Sequence, residues 1–265
     1  MGLEPHAARR SPPLRNPEAG RRARAAGVLR GPVARHPPGS RGRGRRDPRS
    51  GPGLRGGEGG ASYADLGAAL ARYARYAEAE GFGRGDTVAL LMGACADRHA
   101  LWLGFARAGA RVALVDPCLA GARLARALAE AGARLIVAEA DRAEVIGGLA
   151  GLISDMPAVR WHGPGADFAR IDLEAAEYEA GPLAGPDRAR PDDPALVACQ
   201  GNRGGTPTLA TASHRQILAW AQGASLGLRR AGEVCPAAFR DLAEVCGALL
   251  RGDTVVPGTG SPALC

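Results

Sequence analysis

The stretch of this chain best suited to chemistry is a glycine-rich loop that follows a predicted strand. Residues 196–199 are apolar and predict a short strand, and residues 200–208 continue as QGNRGGTPT. A glycine-rich turn after a strand can direct backbone N–H groups toward phosphate oxygens. The candidate binding residues are Gly201, Asn202, Arg203, Gly204, Gly205, Thr206 and Thr208. Composition alone leaves an ordinary connection between two elements as the alternative.

Arginine supplies every basic side chain of the protein. All 34 basic residues are arginine, so the chain has no lysine to pair with a phosphate or to act in catalysis. The loop also departs from a P-loop, which carries a lysine directly before its last hydroxyl residue. Arg203 is the predicted substitute cation, because a guanidinium group pairs well with phosphate oxygens.

Other short motifs are weaker candidates for chemistry. Residues 223–227 fit the pattern GxSxG, but a predicted helix precedes them where a nucleophile elbow needs a strand. We therefore predict that Ser225 lies at a helix end. Asp116 follows a strand and is either a ribose contact or, as we prefer, a turn former before Pro117. None of the five histidines has a His or Cys partner at metal-ligand spacing, so no metal site is predicted.

The positive charge of the chain is concentrated at its N-terminus. Residues 1–60 contain 14 arginines and 4 acidic residues, whereas the rest contains 20 arginines and 23 acidic residues. The first 60 residues also contain 13 Gly and 9 Pro. Such a composition buries too little apolar surface to offset the entropy of ordering. We predict a disordered tail over 1–60, an ordered domain over 61–256 and a disordered end over 257–265.

The same distribution limits the expected partners and location. The domain after residue 60 has a net charge of −3, so it lacks the basic face that specific nucleic-acid binding requires. RNA binding by the arginine-rich tail stays an alternative. The sequence has no run of 18 apolar residues, no apolar signal core and no CxxC pair. We expect a cytoplasmic protein with reduced cysteines; membrane association has no support from a transmembrane segment.

Predicted helices and strands alternate between residue 61 and the end of the domain. The helices fall at residues 62–80, 97–108, 119–131, 213–226 and 242–250, and the strands at 87–92, 112–115, 135–137, 159–161, 196–199 and 254–256. Residues 108–112 and 131–135 share the sequence AGAR before an apolar residue, with the glycine at a helix C-cap. Ser62 and Asp65 suit the first turn of the first helix. The pattern predicts an α/β fold, a mostly parallel sheet with flanking helices.

Four segments in order resemble the adenylate-forming, AMP-binding acyl-CoA synthetase superfamily. They are residues 62–92, where GDTVA matches the family pattern GD.VA, and residues 100–137, 193–221 and 235–256. The second segment is most similar to the fatty-acid-transport-protein or very-long-chain acyl-CoA synthetase branch. The resemblance implies ATP-dependent activation of a fatty acid or other carboxylate to an acyl-adenylate and then to acyl-CoA. ATP or AMP, Mg²⁺ and CoA are the ligands that it implies.

The glycine-rich loop departs from the family pattern, which is rich in hydroxyl residues and includes a lysine. Gly201, Gly204 and Pro207 fit the pattern. Asn202 and Arg203 stand at two hydroxyl positions, as do Cys199 and Gln200 before them. One extra residue separates Gly204 from Pro207, and Thr208 occupies the position of the lysine. Past the loop, Ser213 and His214 keep a family pair, while Phe239 and Arg240 stand where an aromatic residue and a histidine are usual.

The resemblance covers about 195 residues, and several family motifs have no counterpart in this sequence. These are the adenine-binding segment, the T-x-E motif for Mg-ATP, the ribose-binding aspartate and the C-terminal domain with its catalytic lysine. We therefore expect that this chain does not catalyse adenylation alone. It would act with a complementary chain, or as a non-catalytic pseudo-enzyme that binds a nucleotide or a partner.

Overall fold

The computed structural model describes residues 53–54, 61–93, 95–165, 169–183, 189–201, 206–225 and 239–252. The helices are α1 (Tyr63–Ala79), α2 (Ala96–Arg107), α3 (Gly121–Ala131), α4 (Ala143–Gly147), α5 (Ile171–Ala176), α6 (His214–Ser225) and α7 (Arg240–Arg251). The strands are β1 (Gly53–Leu54), β2 (Ala61–Ser62), β3 (Thr87–Leu91), β4 (Arg111–Val115), β5 (Ala133–Glu139), β6 (Ala158–His162), β7 (Pro194–Gln200) and β8 (Thr208–Ser213). Apart from β1, the predicted tail lies outside these residues, as do the strand predicted at 254–256 and the end.

Six of the described strands form one sheet in the order β6-β5-β3-β4-β7-β8. The first five are parallel to one another, and β8 alone runs antiparallel, against β7. The predicted α/β fold with a mostly parallel sheet is confirmed. Because β4 and β5 lie on opposite sides of β3, the chain changes direction across the sheet at this point. In such sheets the carboxyl ends of the strands beside the change of direction form the ligand crevice.

Alternate residues of β3 belong to two separate cores, one on each face of the sheet. Val88 and Leu90 face a core that includes residues of α1, α2, α6 and α7. Ala89 and Leu91 face a second core that includes residues of α3 and α4. All five residues of the strand are buried. This double burial explains why β3 is a continuous apolar run instead of an alternating one.

The repeated AGAR segments join helices α2 and α3 to the sheet. Gly109 and Gly132 have φ angles of +92° and +64°, the left-handed conformation expected at these helix ends. The arginine that follows each glycine then crosses to a neighbouring element. Arg111 Nε donates to Thr87 Oγ1 at 2.6 Å, and Arg134 lies 4.3 Å from the ring centroid of Phe82. The repeat thus places the amino ends of β4 and β5 on either side of β3.

Helices α1 and α2 touch most closely at a glycine. A Cβ atom at Gly104 would lie 2.7 Å from Tyr73 Cβ and 3.0 Å from the carbonyl oxygen of Leu70. One of these neighbours is backbone and the other is the first atom of a side chain, so neither can rotate away. Gly67 in α1 has no atom within 4 Å of the same position. The helix pair therefore requires glycine at 104 but not at 67.

His99 is a fully buried histidine of α2. Its Nδ1 lies 2.6 Å from the carbonyl oxygen of Cys95, and because a carbonyl only accepts, Nδ1 carries the hydrogen. Burial lowers the pKa of His99 to about 4, so the ring is neutral at pH 7. The histidine therefore serves to close the first turn of the helix.

Two short helices, α4 and α5, were not predicted from the sequence. α5 lies in the segment 163–194, where the sequence predicts neither a helix nor a strand, and its buried residues are Ile171 and Ala175. A helix of this length shows too few turns for a hydrophobic period to appear. Ser62 and Asp65 form the expected capping box at the start of α1. Among the described helices, none has the length and apolar character that a membrane crossing demands.

Candidate functional site

The glycine-rich loop connects β7 to β8 and begins at the carboxyl edge of the sheet. Gln200 and Thr208 are paired residues of the two strands, so the loop closes a β-hairpin. The expected strand–loop–helix arrangement is therefore wrong, because β8 intervenes before α6. Strand β8, which consists of the six residues from Thr208 to Ser213, pairs with β7 on the side that does not face β4. Since α6 begins only after this strand, its N-terminus does not supply the donors to a ligand at the loop.

Three of the seven predicted binding residues are in the described part of the chain. Gly201 is half-buried at the start of the loop, while Thr206 and Thr208 are exposed at its end. Pro207, between the two threonines, is buried and fixes this end of the loop. Asn202, Arg203, Gly204 and Gly205 lie outside the described residues. The described ends therefore place two exposed hydroxyl groups at the mouth of the loop.

Asp116 ties the beginning of the loop to the neighbouring strand. Its Oδ2 accepts a hydrogen bond from the Gly201 N–H at 3.1 Å, and its Oδ1 accepts one from the Cys118 N–H at 2.9 Å. Its own N–H donates to the carbonyl of Cys199 at 2.9 Å. The bond to Cys118 confirms the predicted turn at Asp116. The bond to Gly201 adds a function that the sequence did not indicate, which is to position the loop.

The space around Gly201 does not itself require glycine. A Cβ atom there would lie 3.5 Å from Asp116 Oδ2 and 3.5 Å from Leu119 Cδ2, which are ordinary van der Waals distances. An alanine would fill this gap without moving the backbone. The position of the loop is therefore set by the hydrogen bond to Asp116 and not by close packing of the glycine.

A cation and a carboxylate that sequence reasoning missed lie at the same edge of the sheet. Arg142, which follows β5, donates from Nη1 to the carbonyl of Pro117 at 3.2 Å, so its guanidinium group contacts the Asp116 turn. Glu139, the last residue of β5, accepts the Gly93 N–H on Oε2 at 3.3 Å. The only sequence signal for either residue is its position at or just after the end of a parallel strand.

Cys199, near the start of the loop, is not activated as a nucleophile. Cys199, at the end of β7, is buried, and burial with the nearby Glu130 carboxylate raises the pKa of its thiol to about 11. Cys95, Cys199 and Cys246 are free thiols, as expected for these three cysteines.

The residues that follow the loop have structural roles. Ser213 and Gln216 form a reciprocal pair at the start of α6: the Ser213 N–H donates to Gln216 Oε1 at 2.9 Å, and the Gln216 N–H to Ser213 Oγ at 3.3 Å. Phe239 is buried and stacks on Trp220, with ring centroids 5.7 Å apart. The serine and the aromatic residue thus stabilise α6 and its contact with α7. Ser225 ends α6, as predicted from the helix that precedes it.

No group of three or more His, Cys, Asp or Glu side chains in the described part of the chain is arranged to hold a metal ion. The described ends of the loop offer the exposed hydroxyl groups of Thr206 and Thr208. Hydroxyl groups can donate hydrogen bonds to the oxygens of an anionic group such as phosphate.

The fold is that of known acyl-CoA synthetases. A Mycobacterium tuberculosis fatty acyl CoA synthetase matches with a TM-score of 0.60 and 22% identity, over 75% of this chain and 39% of its own. A Brucella canis acyl-CoA synthetase matches with a TM-score of 0.62 and 19% identity, over 79% of this chain and 40% of its own. The anthranilate CoA ligase AuaEII, solved with anthranoyl-AMP, matches with a TM-score of 0.60 and 14% identity, over 67% of this chain and 34% of its own. The chain thus spans less than half of each structure.

The family model for AMP-binding enzymes matches residues 48–260. This chain belongs to the AMP-binding enzyme family. No curated protein matches it by sequence.

Proposed function

We propose that this chain binds the phosphates of ATP or AMP at residues 201–208, as the N-terminal part of an adenylate-forming ligase. The observation that carries the proposal is the tie between Asp116 and Gly201, because it holds the loop at the carboxyl edge of the sheet. Ligands of open α/β sheets generally bind at this edge. The AMP-binding family supports a nucleotide as the ligand.

The donor set of the loop fits a phosphate group in part. Thr206 and Thr208 are exposed, so their hydroxyl groups are accessible to phosphate oxygens. Arg203 adds a guanidinium group to the same loop and is our candidate for the main cation. The disagreement with the family pattern is Thr208, which stands where the pattern has a lysine. A hydroxyl group donates a hydrogen bond but brings no positive charge to the transferred phosphate.

We further propose that the lineage is that of long-chain acyl-CoA synthetases and that the chain does not complete adenylation unaided. A carboxylate, preferably a fatty acid, would be the substrate, with Mg²⁺ and CoA as the further ligands. The missing lysine and the replacement of two hydroxyl residues by Asn202 and Arg203 support the lack of activity. Dependence on a complementary chain and a cytoplasmic location stay predictions.

Titration calorimetry with AMP and with Mg-ATP tests the binding proposal. We expect the purified chain to bind nucleotide, and Arg203→Gln to weaken the affinity by about tenfold, the equivalent of about 1.4 kcal/mol. Arg126→Gln is the matched control, since Arg126 is an exposed residue of α3 whose Nε contacts Glu130 Oε1 at 2.6 Å. If the two variants bind nucleotide with equal affinity, Arg203 is not part of the site. If the unaltered chain binds neither AMP nor Mg-ATP, the proposal is refuted.

Pyrophosphate exchange tests the second part of the proposal. The chain, supplied with ATP, Mg²⁺ and fatty acids of several lengths, should show no exchange above the background without protein. Clear exchange that depends on a fatty acid would show that the chain forms an acyl-adenylate alone. That result would contradict the inferred lack of activity while leaving nucleotide binding intact.

A further inference from the structure

A cavity opens at the carboxyl end of β6, the edge strand on the opposite side of the sheet from β7 and β8. Its volume is about 410 Å³, within the range of about 300–1,000 Å³ that small-molecule sites occupy. Strands β6 and β7 are four strand spacings apart, which is roughly 19 Å. The cavity is therefore separate from the loop at residues 201–208. Its charged and polar walls are Arg72, Tyr73, Asp97, His162, Arg170 and Asp172.

Two buried nitrogen atoms of this cavity have no hydrogen-bond partner among the described residues. They are Nε of Arg72, from α1, and Nε2 of His162, from the end of β6. A buried donor without a partner costs about 1–3 kcal/mol, so native structures rarely leave two in one place. Both nitrogens can donate, which makes a ligand with acceptor oxygens the group that would satisfy them.

The remaining charges of the cavity are paired or exposed. Arg170 donates from Nε and Nη2 to the two carboxylate oxygens of Asp172, which neutralises both residues. Asp97 has a side chain that is 52% exposed, and its Oδ2 lies 3.4 Å from His162 Nε2 without forming a hydrogen bond. Its charge is thus largely hydrated at the rim. Arg72 is left as the cation available to a ligand in the cavity.

The other walls suit a small apolar body. Ala69 and Ala175 line the cavity from α1 and α5. Tyr73 adds an aromatic ring, and burial, together with the Asp97 and Asp172 carboxylates, raises the pKa of its hydroxyl group, so the ring is uncharged. Small aliphatic groups and a neutral ring favour an apolar ligand, whereas Arg72 and His162 favour an anionic end.

We propose that this cavity is a second binding site, for a small molecule that carries a carboxylate on an apolar body. Arg72 pairs with the carboxylate, since a guanidinium group matches its two oxygens. His162 donates a further hydrogen bond, and Ala69, Tyr73 and Ala175 contact the apolar part. The site does not depend on nucleotide binding at the loop.

Benzoate and its neutral analogue benzamide are the probes that test this site on the full chain. We expect benzoate to bind with a Kd of about 1 mM, and benzamide at least about tenfold more weakly. Arg72→Gln and His162→Gln should each weaken benzoate binding several-fold, while the exposed-site control Arg126→Gln should leave it unchanged. Saturating AMP should not displace benzoate.

Three results would overturn the proposal. The first is the absence of benzoate binding, or equal binding of benzamide. The second is unchanged benzoate affinity in the variants, with His162→Gln deciding if Arg72→Gln does not fold. The third is displacement of benzoate by AMP, which would place the probe in the nucleotide-binding region instead. Since AMP binding is measured separately on each variant, failure here is distinct from failure of the proposed function.

Discussion

Replacement of Asp116 by asparagine should release the start of the glycine-rich loop without altering the size of the side chain. The carboxylate accepts one backbone N–H on each oxygen, from Cys118 and from Gly201. Asparagine has only one acceptor oxygen, so it can keep one of these bonds and must turn an NH₂ group toward the other donor. The substitution therefore tests the hydrogen bond and leaves the packing in place.

The expected cost follows from the strength of hydrogen bonds to a charged acceptor, about 1.5–3 kcal/mol each. Asp116 is only half-buried, which favours the lower end of this range. Asp116→Asn should thus lower the free energy of unfolding by about 1.5 kcal/mol, and Asp116→Ala, which loses both bonds, by about 3 kcal/mol. Exposed Asp155→Asn is the control and should change it by less than about 0.5 kcal/mol.

Urea unfolding and amide hydrogen exchange together measure this effect. The free energy of unfolding should fall as stated, the Gly201 amide should exchange faster, and AMP affinity should fall about tenfold because the loop is no longer held in place. The reasoning would be refuted if Asp116→Asn had the same free energy of unfolding as the Asp155→Asn control and the Gly201 amide exchanged at an unchanged rate. The hydrogen bond would then contribute nothing to the position of the loop.

Three further predictions concern the loop, the helix pair and pH. Thr208→Lys should raise affinity for Mg-ATP about tenfold in calorimetry and steepen its salt dependence, whereas Thr211→Lys, which adds an equal charge to the same strand, should not. Equal gains in affinity from the two substitutions would show a non-specific charge effect. Gly104→Ala should lower the free energy of unfolding by about 1–3 kcal/mol, while Gly67→Ala should raise it by about 0.5–1 kcal/mol, as read from urea melts; two similar values would contradict the close contact between α1 and α2. Because the folded pKa of His99, about 4, lies below its unfolded value near 6.5, protons bind preferentially to the unfolded chain. Stability is therefore full above pH 6.5 and should fall by about 2 kcal/mol between pH 7 and pH 5, a change that His99→Asn should remove in melts at both pH values.

The parallel sheet could be predicted because its strands are short apolar runs between helices that end in glycine. β3 is buried on both faces, so its five residues are all apolar or small and stand out in the sequence. Gly109 and Gly132 mark the ends of α2 and α3 for a local reason, the left-handed backbone at each position. Both features can be recognised from a few adjacent residues, so they can be predicted without knowledge of distant contacts.

The hairpin at the candidate site could not be predicted in the same way. β8 contains threonine, alanine and serine, and only Ala212 is fully buried, so its sequence lacks a strand-like apolar run. β8 is a strand because it pairs with β7, and its own sequence has no hydrophobic pattern that would indicate this pairing. The tie from Asp116 to Gly201 joins residues 85 positions apart. The loop sequence therefore indicated the type of chemistry, while its placement depended on contacts across the sheet.

The most direct test of the central claim is amide hydrogen exchange across the chain with and without AMP or Mg-ATP. We predict that nucleotide slows exchange at residues 200–208 and at the Asp116–Cys118 turn, with no comparable effect at the end of β6. Exchange at the loop that does not change at saturating nucleotide, or protection confined to other elements, would contradict the assignment of this loop as the phosphate-binding site.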